Sequence, residues 1–278
     1  MAGTLFVVAT PIGHLDDITM RALRVLREVA LVAAEDTRRS GNLLRHFGIS
    51  TRTVSLHAHN ERSRAPQILA RLQQGDSVAL VSDAGTPGIS DPGAEVVRLA
   101  REQGFRVEAI PGASAVSAAI SVSGLEDGTF VFMGFAPIRS KDRKQWWAKL
   151  EQFHSRAAVV CFEAPHRVLR TLAELEVYVK RPIFAFRELT KLHEQTLYGT
   201  AEELIAALPS PQGEFTLVIP AEEPKNAAQV DVSVETLRNE IGVLIEKGAP
   251  SRRDAARELA LKFGLSTKFV YDSTKRND

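Results

Sequence analysis

A single cysteine, Cys161, in a chain of 278 residues excludes a disulfide framework and any cysteine-rich zinc site. It sits inside an apolar run, which points to buried packing in a reducing compartment. Charge of one sign is lacking too. Thirty-five Lys and Arg against 34 Asp and Glu leave a formal charge of +1, so no global field draws the molecule onto nucleic acid or membrane, and any basic site must be local. No stretch approaches the ~20 apolar residues of a membrane span. The start, MAGTLFVVATPIG, has no basic region before an apolar run that stops at Pro11, so no signal peptide is expected. The spacings GxGxxG and GxxxxGK[ST] are missing, which disfavours a dinucleotide or a nucleoside triphosphate, and there is no GxSxG nucleophile elbow. With 44% hydrophobic and 25% charged residues, the chain is expected to be a packed cytoplasmic protein of roughly two domains.

What is there is a series of short, β-branched apolar runs: Thr4 to Ala9, Ser77 to Ser82, Arg106 to Ile110, Phe130 to Met133, Ala157 to Phe162, Ile183 to Phe186 and Phe215 to Ile219. Most lie between stretches of helical spacing, so they read as strands of an α/β protein. Ile18, Ala22, Val25, Leu26 and Val29 form one helical stripe. Asp91 and Pro92 read as an N-cap and first-turn proline, and Thr200 with Glu203 and Ser251 with Asp254 as capping boxes. Turn residues from Leu125 to Thr129 and a polar stretch between Pro220 and Gln229 divide the chain into residues 1–124, 125–224 and 230–278. The last part reads as a helical appendage of three helices, 234–247, 252–263 and 267–274, broken by Gly248, Pro250 and Gly264.

The stretch VSDAGTPGISDPG at 81–93 follows a strand and precedes a helix, where α/β proteins bind ligands, and its glycines let the backbone approach a ligand closely. Turn geometry alone is the competing explanation. TPIG at 10–13 and IPGASA at 110–115 are similar strand ends, and three such ends could face one crevice. Between positions 20 and 64 nine basic residues, Arg38, Arg39 and Arg45 among them, outnumber four acidic ones. Arg139, Lys141, Arg143, Lys144 and Lys149 surround Trp146 and Trp147, offering phosphate contacts beside stacking surfaces, unless the tryptophans are core anchors of one helix. Residues 251–278 carry seven basic against four acidic residues with helix-turn-helix-like spacing. His57 and His59 without a clear third ligand do not make a metal site.

Taken together, TPIG, AAEDTR at 33–38, HNE at 59–61, the glycine-rich loop, IPGASA, EAPHR at 163–167 and RELTK at 187–191 resemble the bacterial small-subunit ribosomal RNA methyltransferases of the tetrapyrrole methylase superfamily. The resemblance runs from about Thr4 to Ile219. It implies a class III methyltransferase fold, two α/β domains holding S-adenosylmethionine in their cleft, with the helical appendage many members carry. It further implies a homodimer that acts on 16S rRNA or the small ribosomal subunit, methylating the ribose 2′-hydroxyl of a cytidine in the decoding region. Carried over by motif, Pro11, Asp83, Ala84, Gly85, Ile89, Ser114 and Ala115 line the cofactor cleft from one side, and Phe162, Glu163 and Leu189 close it from the other. Asp36, His59, Glu61 and Glu188 are the candidates for a general base. Arg38, Arg143, Lys144, Trp146, Arg167 and Lys191 are the candidates for RNA contact. A same-fold methyltransferase of tetrapyrroles or protein side chains, or a non-enzymatic nucleic-acid-binding regulator, are the alternative functions.

Overall fold

Strand β1 (Thr4–Val8) is flanked in parallel by β4 (Val78–Val81) and β5 (Arg106–Ile110), and the first sheet runs β3-β2-β4-β1-β5 with β2 (Leu31–Ala34) and β3 (Thr53–Ser55). All four residues of β2 and all four of β4 are buried, as continuous apolar strands covered on both faces require. The structure is a computed structural model that describes residues 2–125, 128–222, 234–246, 249, 251–263, 265 and 267–274.

Helix α1 (Met20–Glu28) is capped by the Thr19 hydroxyl, which accepts from the Ala22 amide at 3.1 Å. The stripe Ile18, Ala22, Val25, Leu26 and Val29 packs with Val8, Val32 and Val81 on one face of the sheet, beside Leu44 of α2 (Thr37–His46). On the opposite face α3 (Glu61–Gln73) and α4 (Ala94–Glu102) place Ile68, Leu72, Val96 and Ala100 against Leu5, Ala33 and Leu80. Helix α5 (Ala115–Val122) follows β5.

The second sheet runs β6-β7-β10-β8-β9, from β6 (Phe130–Phe135), β7 (Ala158–Glu163), β8 (Ile183–Arg187), β9 (Gln195–Gly199) and β10 (Phe215–Ile219), with β10 antiparallel between β7 and β8. Strand β9, QTLYG, was not legible as a strand: it lies at the sheet edge, and only its glycine is buried. Helices α6 (Ser140–His154), α7 (Pro165–Leu175) and α8 (Ala201–Ala207) complete this half, the last opened by a reciprocal Thr200–Glu203 capping box.

Ile12, Val116 and Ala119 meet Val160, Phe186, Leu189 and Val218 in a shared core, so the two sheets belong to one compact unit, Met1–Leu150 with Val159–Pro220. The turn near 125–129 therefore marks a change of sheet, not a break between units; Glu126 and Asp127 lie outside the described residues. A second unit comprises Glu151–Ala158 and Ala221–Asp278. In it α9 (Val234–Glu246), α10 (Arg252–Phe263) and α11 (Thr267–Ser273) pack around Leu237, Ile241, Ala255, Leu259 and Val270. The Ser251 hydroxyl exchanges hydrogen bonds with Asp254 at the start of α10. Most of the polar linker, with Gly248, Pro250 and Gly264, lies outside the described residues. Among the described residues no helix is long and apolar enough to cross a membrane.

Candidate active site

Because β1, β4 and β5 are adjacent and parallel, the loops that follow them leave one edge of the sheet, the place where α/β sheets bind ligands. Thr10 and Gly85 exchange backbone hydrogen bonds of 2.8 and 3.0 Å, tying the first loop to the second. The Thr10 hydroxyl donates to the Ser82 carbonyl at 3.2 Å, and the Thr86 hydroxyl to the Ala113 carbonyl at 3.3 Å, which ties in the third. Gly85 has φ +75°, a conformation that L side chains rarely adopt. A Cβ there would stand 3.4 Å from Ile12 Cγ2.

Two cavities open around these loops. The first, of about 420 Å³, is lined by Ile12, Ala84, Gly85, Ile89, Asp91, Ser114 and Ala115 from the first half and by Phe135, Phe162, Glu163 and Thr216 from the second. The second, of about 470 Å³, is lined by Pro11, Gly13, Arg39, Asn42, His46, Asp83 and Lys191. Ile12, Ala84 and Glu214 line both, so the cavities share a wall. Of the residues expected to hold the cofactor, seven line the first cavity, Pro11 and Asp83 line the second, and Ala84 is common to both. Leu189 lines neither; it is buried in the core beneath them.

The first cavity is mostly apolar, and three carboxylates, Asp91, Glu163 and Glu214, stand in its lining. Burial pushes the Asp91 carboxyl up to about 6, the charges of Glu35, Asp83 and Glu214 add to the shift, and the Ser82 side chain opposes it. Burial also raises Glu35, against a hydrogen bond from the Asp83 amide. Phe162 meets Phe132 and Phe135 edge-on at 4.8 and 5.5 Å. An apolar slot with a glycine cradle and a group of carboxylates suits an adenosyl group attached to a sulfonium and an ammonium, so these residues fit S-adenosylmethionine.

None of the four carboxylate and histidine candidates for the base lines either cavity. Asp36 is the N-cap of α2: it accepts from the Arg38 amide at 2.8 Å and from two nitrogens of the Arg38 guanidinium, which hold its carboxyl well below the usual range. His59 is exposed, and its amide donates to His57 Nδ1 at 3.3 Å. Glu188 bonds the Lys191 ammonium and the Glu214 amide, both at 2.8 Å; burial raises its carboxyl, but these partners outweigh it and hold it low. Glu61 has become the cap of a neighbouring helix. Its Oε1 accepts from the amides of Gly93, Glu95 and Val96 at 3.1, 2.8 and 3.2 Å, at the start of α4.

This corrects the reading of Asp91 as the cap. Helix α4 starts at Ala94, after Gly93 with φ +123°, and Glu61 supplies the missing acceptor, which leaves Asp91 on the cavity wall. Replacing Glu61 with alanine is expected to destabilise the fold by on the order of 1–2 kcal/mol, while glutamine, which keeps an acceptor oxygen, retains most of the stability. Urea unfolding of the two variants checks this; equal loss in both would show that charge alone, not the acceptor geometry, holds the loop.

The RNA candidates divide similarly. Arg143 and Trp146 are 4% and 7% exposed, and all three Arg143 guanidinium nitrogens are hydrogen-bonded within the protein, so neither offers a phosphate or stacking surface. Arg167 is largely buried against Glu163. Lys144 is exposed, Arg38 projects from α2 despite its bond to Asp36, and Lys191 reaches the second cavity between Glu188 and Glu214. Arg39, Asn42 and His46, spaced on one face of α2, line that cavity and were not singled out as site residues. Asp91, Glu214 and Phe135 were also missed. Helical spacing from the Asp36 cap could have found the α2 face; nothing local in the sequence marks Phe135 or Glu214.

Residues 4–205 match the family model for Tetrapyrrole (Corrin/Porphyrin) Methylases. The solved structure of diphthine synthase covers 79% of this chain and 90% of its own at a TM-score of 0.63 and 18% identity. A Thermus thermophilus uroporphyrin-III C-methyl transferase complexed with S-adenyl homocysteine covers 77% of this chain and 97% of its own at a TM-score of 0.57 and 19% identity. Fold and site thus define a tetrapyrrole methylase-type methyltransferase. A protein of Synechocystis sp. named Ribosomal RNA small subunit methyltransferase I is 45% identical over 97% of this chain and 96% of its own. The chain belongs to that family of methyltransferases.

Proposed function

We propose that the protein methylates the 2′-hydroxyl of a cytidine ribose in the decoding region of 16S rRNA, using S-adenosylmethionine, in the cytoplasm and as a homodimer. The observation that carries this reading is the pair of cavities with a common wall at Ile12, Ala84 and Glu214: one apolar and glycine-cradled, the other charged and open to α2. The first takes the cofactor, which when bound supplies an activated methyl group. The second admits the ribose and its phosphates, held by Arg39, His46 and Lys191. In-line positioning of the hydroxyl across the shared wall supplies most of the rate enhancement. Asp91 replaces the earlier base candidates, because a carboxyl held near 6 is matched to accepting a proton at neutral pH.

Homodimerisation is supported by β6, whose six residues FVFMGF are apolar or glycine, with none buried. Exposed Arg253, Arg257 and Lys268 on the C-terminal helices support a role for them in substrate capture.

The deciding experiment is methyl transfer from labelled S-adenosylmethionine to small subunits lacking the modification, with the modified nucleotide mapped. Label on a cytidine 2′-oxygen of the decoding region supports the reading, and label on a precorrin or on no RNA rejects it. Replacing Arg38, Arg39 and Arg45 together by alanine is expected to weaken RNA binding and to lower the slope of log affinity against log salt by roughly 2–3, because fewer counterions are released. Cofactor affinity should not change. Filter binding across a salt series checks this, and an unaltered slope would remove α2 from the RNA face.

A further inference from the structure

The Met133–Pro137 segment at the end of β6 carries Phe135 into the wall of the first cavity. Gly134, at φ +63°, breaks the strand's alternation, and a Cβ there would lie 3.4 Å from the Ser90 hydroxyl of the glycine-rich loop. Three donors from outside the strand grip this segment by its carbonyls. Trp146 Nε1 donates to Met133 O at 3.2 Å, Arg167 Nη1 to Ala136 O at 3.1 Å and Arg143 Nη1 to Pro137 O at 3.1 Å. The Arg167 guanidinium also lies 6.0 Å over the Phe135 ring.

The same arginines reach the other side of the cavity wall. Arg143 Nη2 donates to the Thr171 hydroxyl at 2.8 Å, and that hydroxyl donates to Glu163 Oε2 at 2.6 Å. Glu163 Oε1 takes the Ala164 amide at 2.8 Å and Arg167 Nη2 at 2.7 Å, and its side chain is fully buried. Arg143 is itself anchored by Glu174, which also accepts from Trp147 Nε1 at 2.8 Å. Arg143 and Glu163 have every polar side-chain atom partnered in this buried network, while Arg167 is held through its two Nη atoms and its buried Nε has no partner among the described residues. The network thus ties the two walls of the cavity together through charge-assisted bonds.

We propose that Arg143 and Arg167 are positioning residues that set the spacing between Phe135 and Phe162–Glu163, and so the width of the slot that accepts S-adenosylmethionine. The proposal rests on the reading of that cavity as the cofactor site. It gives the basic, tryptophan-bearing segment a role other than RNA contact: α6 braces the cofactor wall from behind. A lysine at either position keeps the charge but cannot span two acceptors with a planar fork.

The chain has two tryptophans, and both lie in the brace, so its intrinsic fluorescence reports on it. Titrating the wild-type protein with S-adenosylhomocysteine is expected to change tryptophan emission with the same midpoint as calorimetric binding. Arg143→Lys and Arg167→Lys are each expected to weaken that binding by about tenfold, to raise KM for S-adenosylmethionine more than they lower kcat, and to leave KM for the ribosomal substrate unchanged. Silent tryptophans in a wild-type protein that binds the ligand by calorimetry would overturn the brace while leaving the cofactor site intact. So would wild-type affinity in both variants, or an affinity loss that tracks a collapsed melting transition. A wild-type protein that binds no S-adenosylhomocysteine would reject the cofactor reading, and the brace with it.

Discussion

Replacing Gly85 with valine is expected to abolish detectable S-adenosylmethionine binding, a loss of at least about a hundredfold, in a protein that still folds. Gly85 sits at φ +75°, where a β-branched residue is strained by roughly 1–3 kcal/mol, and its amide and carbonyl are both committed to Thr10. The loop cannot relax the strain by rotating without breaking the bridge that joins two of the three site loops. An added Cβ is tolerable, since it would meet Ile12 Cγ2 at 3.4 Å and the Ala113 carbonyl at 3.7 Å. The two further methyl groups of valine have only the cavity or these neighbours to enter. Alanine at this position separates the effects: it is expected to cost stability through φ alone and to retain measurable binding. Calorimetric titration of both variants, with thermal melting, gives the answer. Wild-type affinity in the valine variant would move the cofactor away from this loop.

The glycine-rich loop was legible in the sequence because its signal is local. Glycines, prolines and a preceding apolar strand occur within thirteen residues, and the strand ends after β1 and β5 repeat the pattern. The helices of the C-terminal unit were legible for the same reason, their boundaries set by apolar periodicity and punctuation. What sequence could not show is which distant group satisfies a local need. Asp91 precedes a proline and a helix and so looks like a cap, but the amides of Gly93, Glu95 and Val96 at the start of α4 are taken by Glu61, about thirty residues earlier in the chain. One long-range contact gives both residues another place: Glu61, one of the four base candidates, caps a helix, and Asp91, the expected cap, faces the cavity.

The same physics accounts for the basic segment on α6. A run of Lys and Arg around two tryptophans has the composition of a nucleic-acid surface, and composition does not report burial. Arg143, Trp146 and Trp147 sit on the inward face of α6 because their donors find carbonyls and a carboxylate there, while Lys141, Lys144 and Lys149 are exposed. Helical phase distinguishes the two sets, since Arg143, Trp146, Trp147 and Leu150 follow the three- and four-residue steps of one face. The alternative of core anchors was therefore written in the spacing, and the charge of the neighbours obscured it.

Asp91→Asn is expected to lower the rate of methyl transfer by a factor of 10²–10⁴, the range for losing a positioned proton acceptor. It should also remove a pH dependence. In the wild-type enzyme the rate should rise with pH through about 6 as Asp91 ionises; asparagine cannot ionise, so that limb should vanish rather than shift. The stability effect has the opposite direction. The Asp91 carboxyl is raised in the folded protein from an ordinary 3.8, chiefly by burial and then by Glu35, so its contribution is fully present below about 4 and is lost as pH rises through about 6. At pH 7.5 the charged carboxylate therefore weakens the fold, and the asparagine variant should be the more stable by on the order of 1 kcal/mol after solvent screening of a half-buried group. At pH 4 the two proteins should unfold alike. A slower but more stable enzyme at neutral pH separates a catalytic carboxylate from a structural one, because loss of a structural group lowers activity and stability together. Urea unfolding at the two pH values and a single-turnover rate profile from pH 5 to 8 measure both halves. A retained acidic limb in the variant would assign the proton to another carboxylate, with Glu214 on the shared wall and Asp83 in the second cavity next in place.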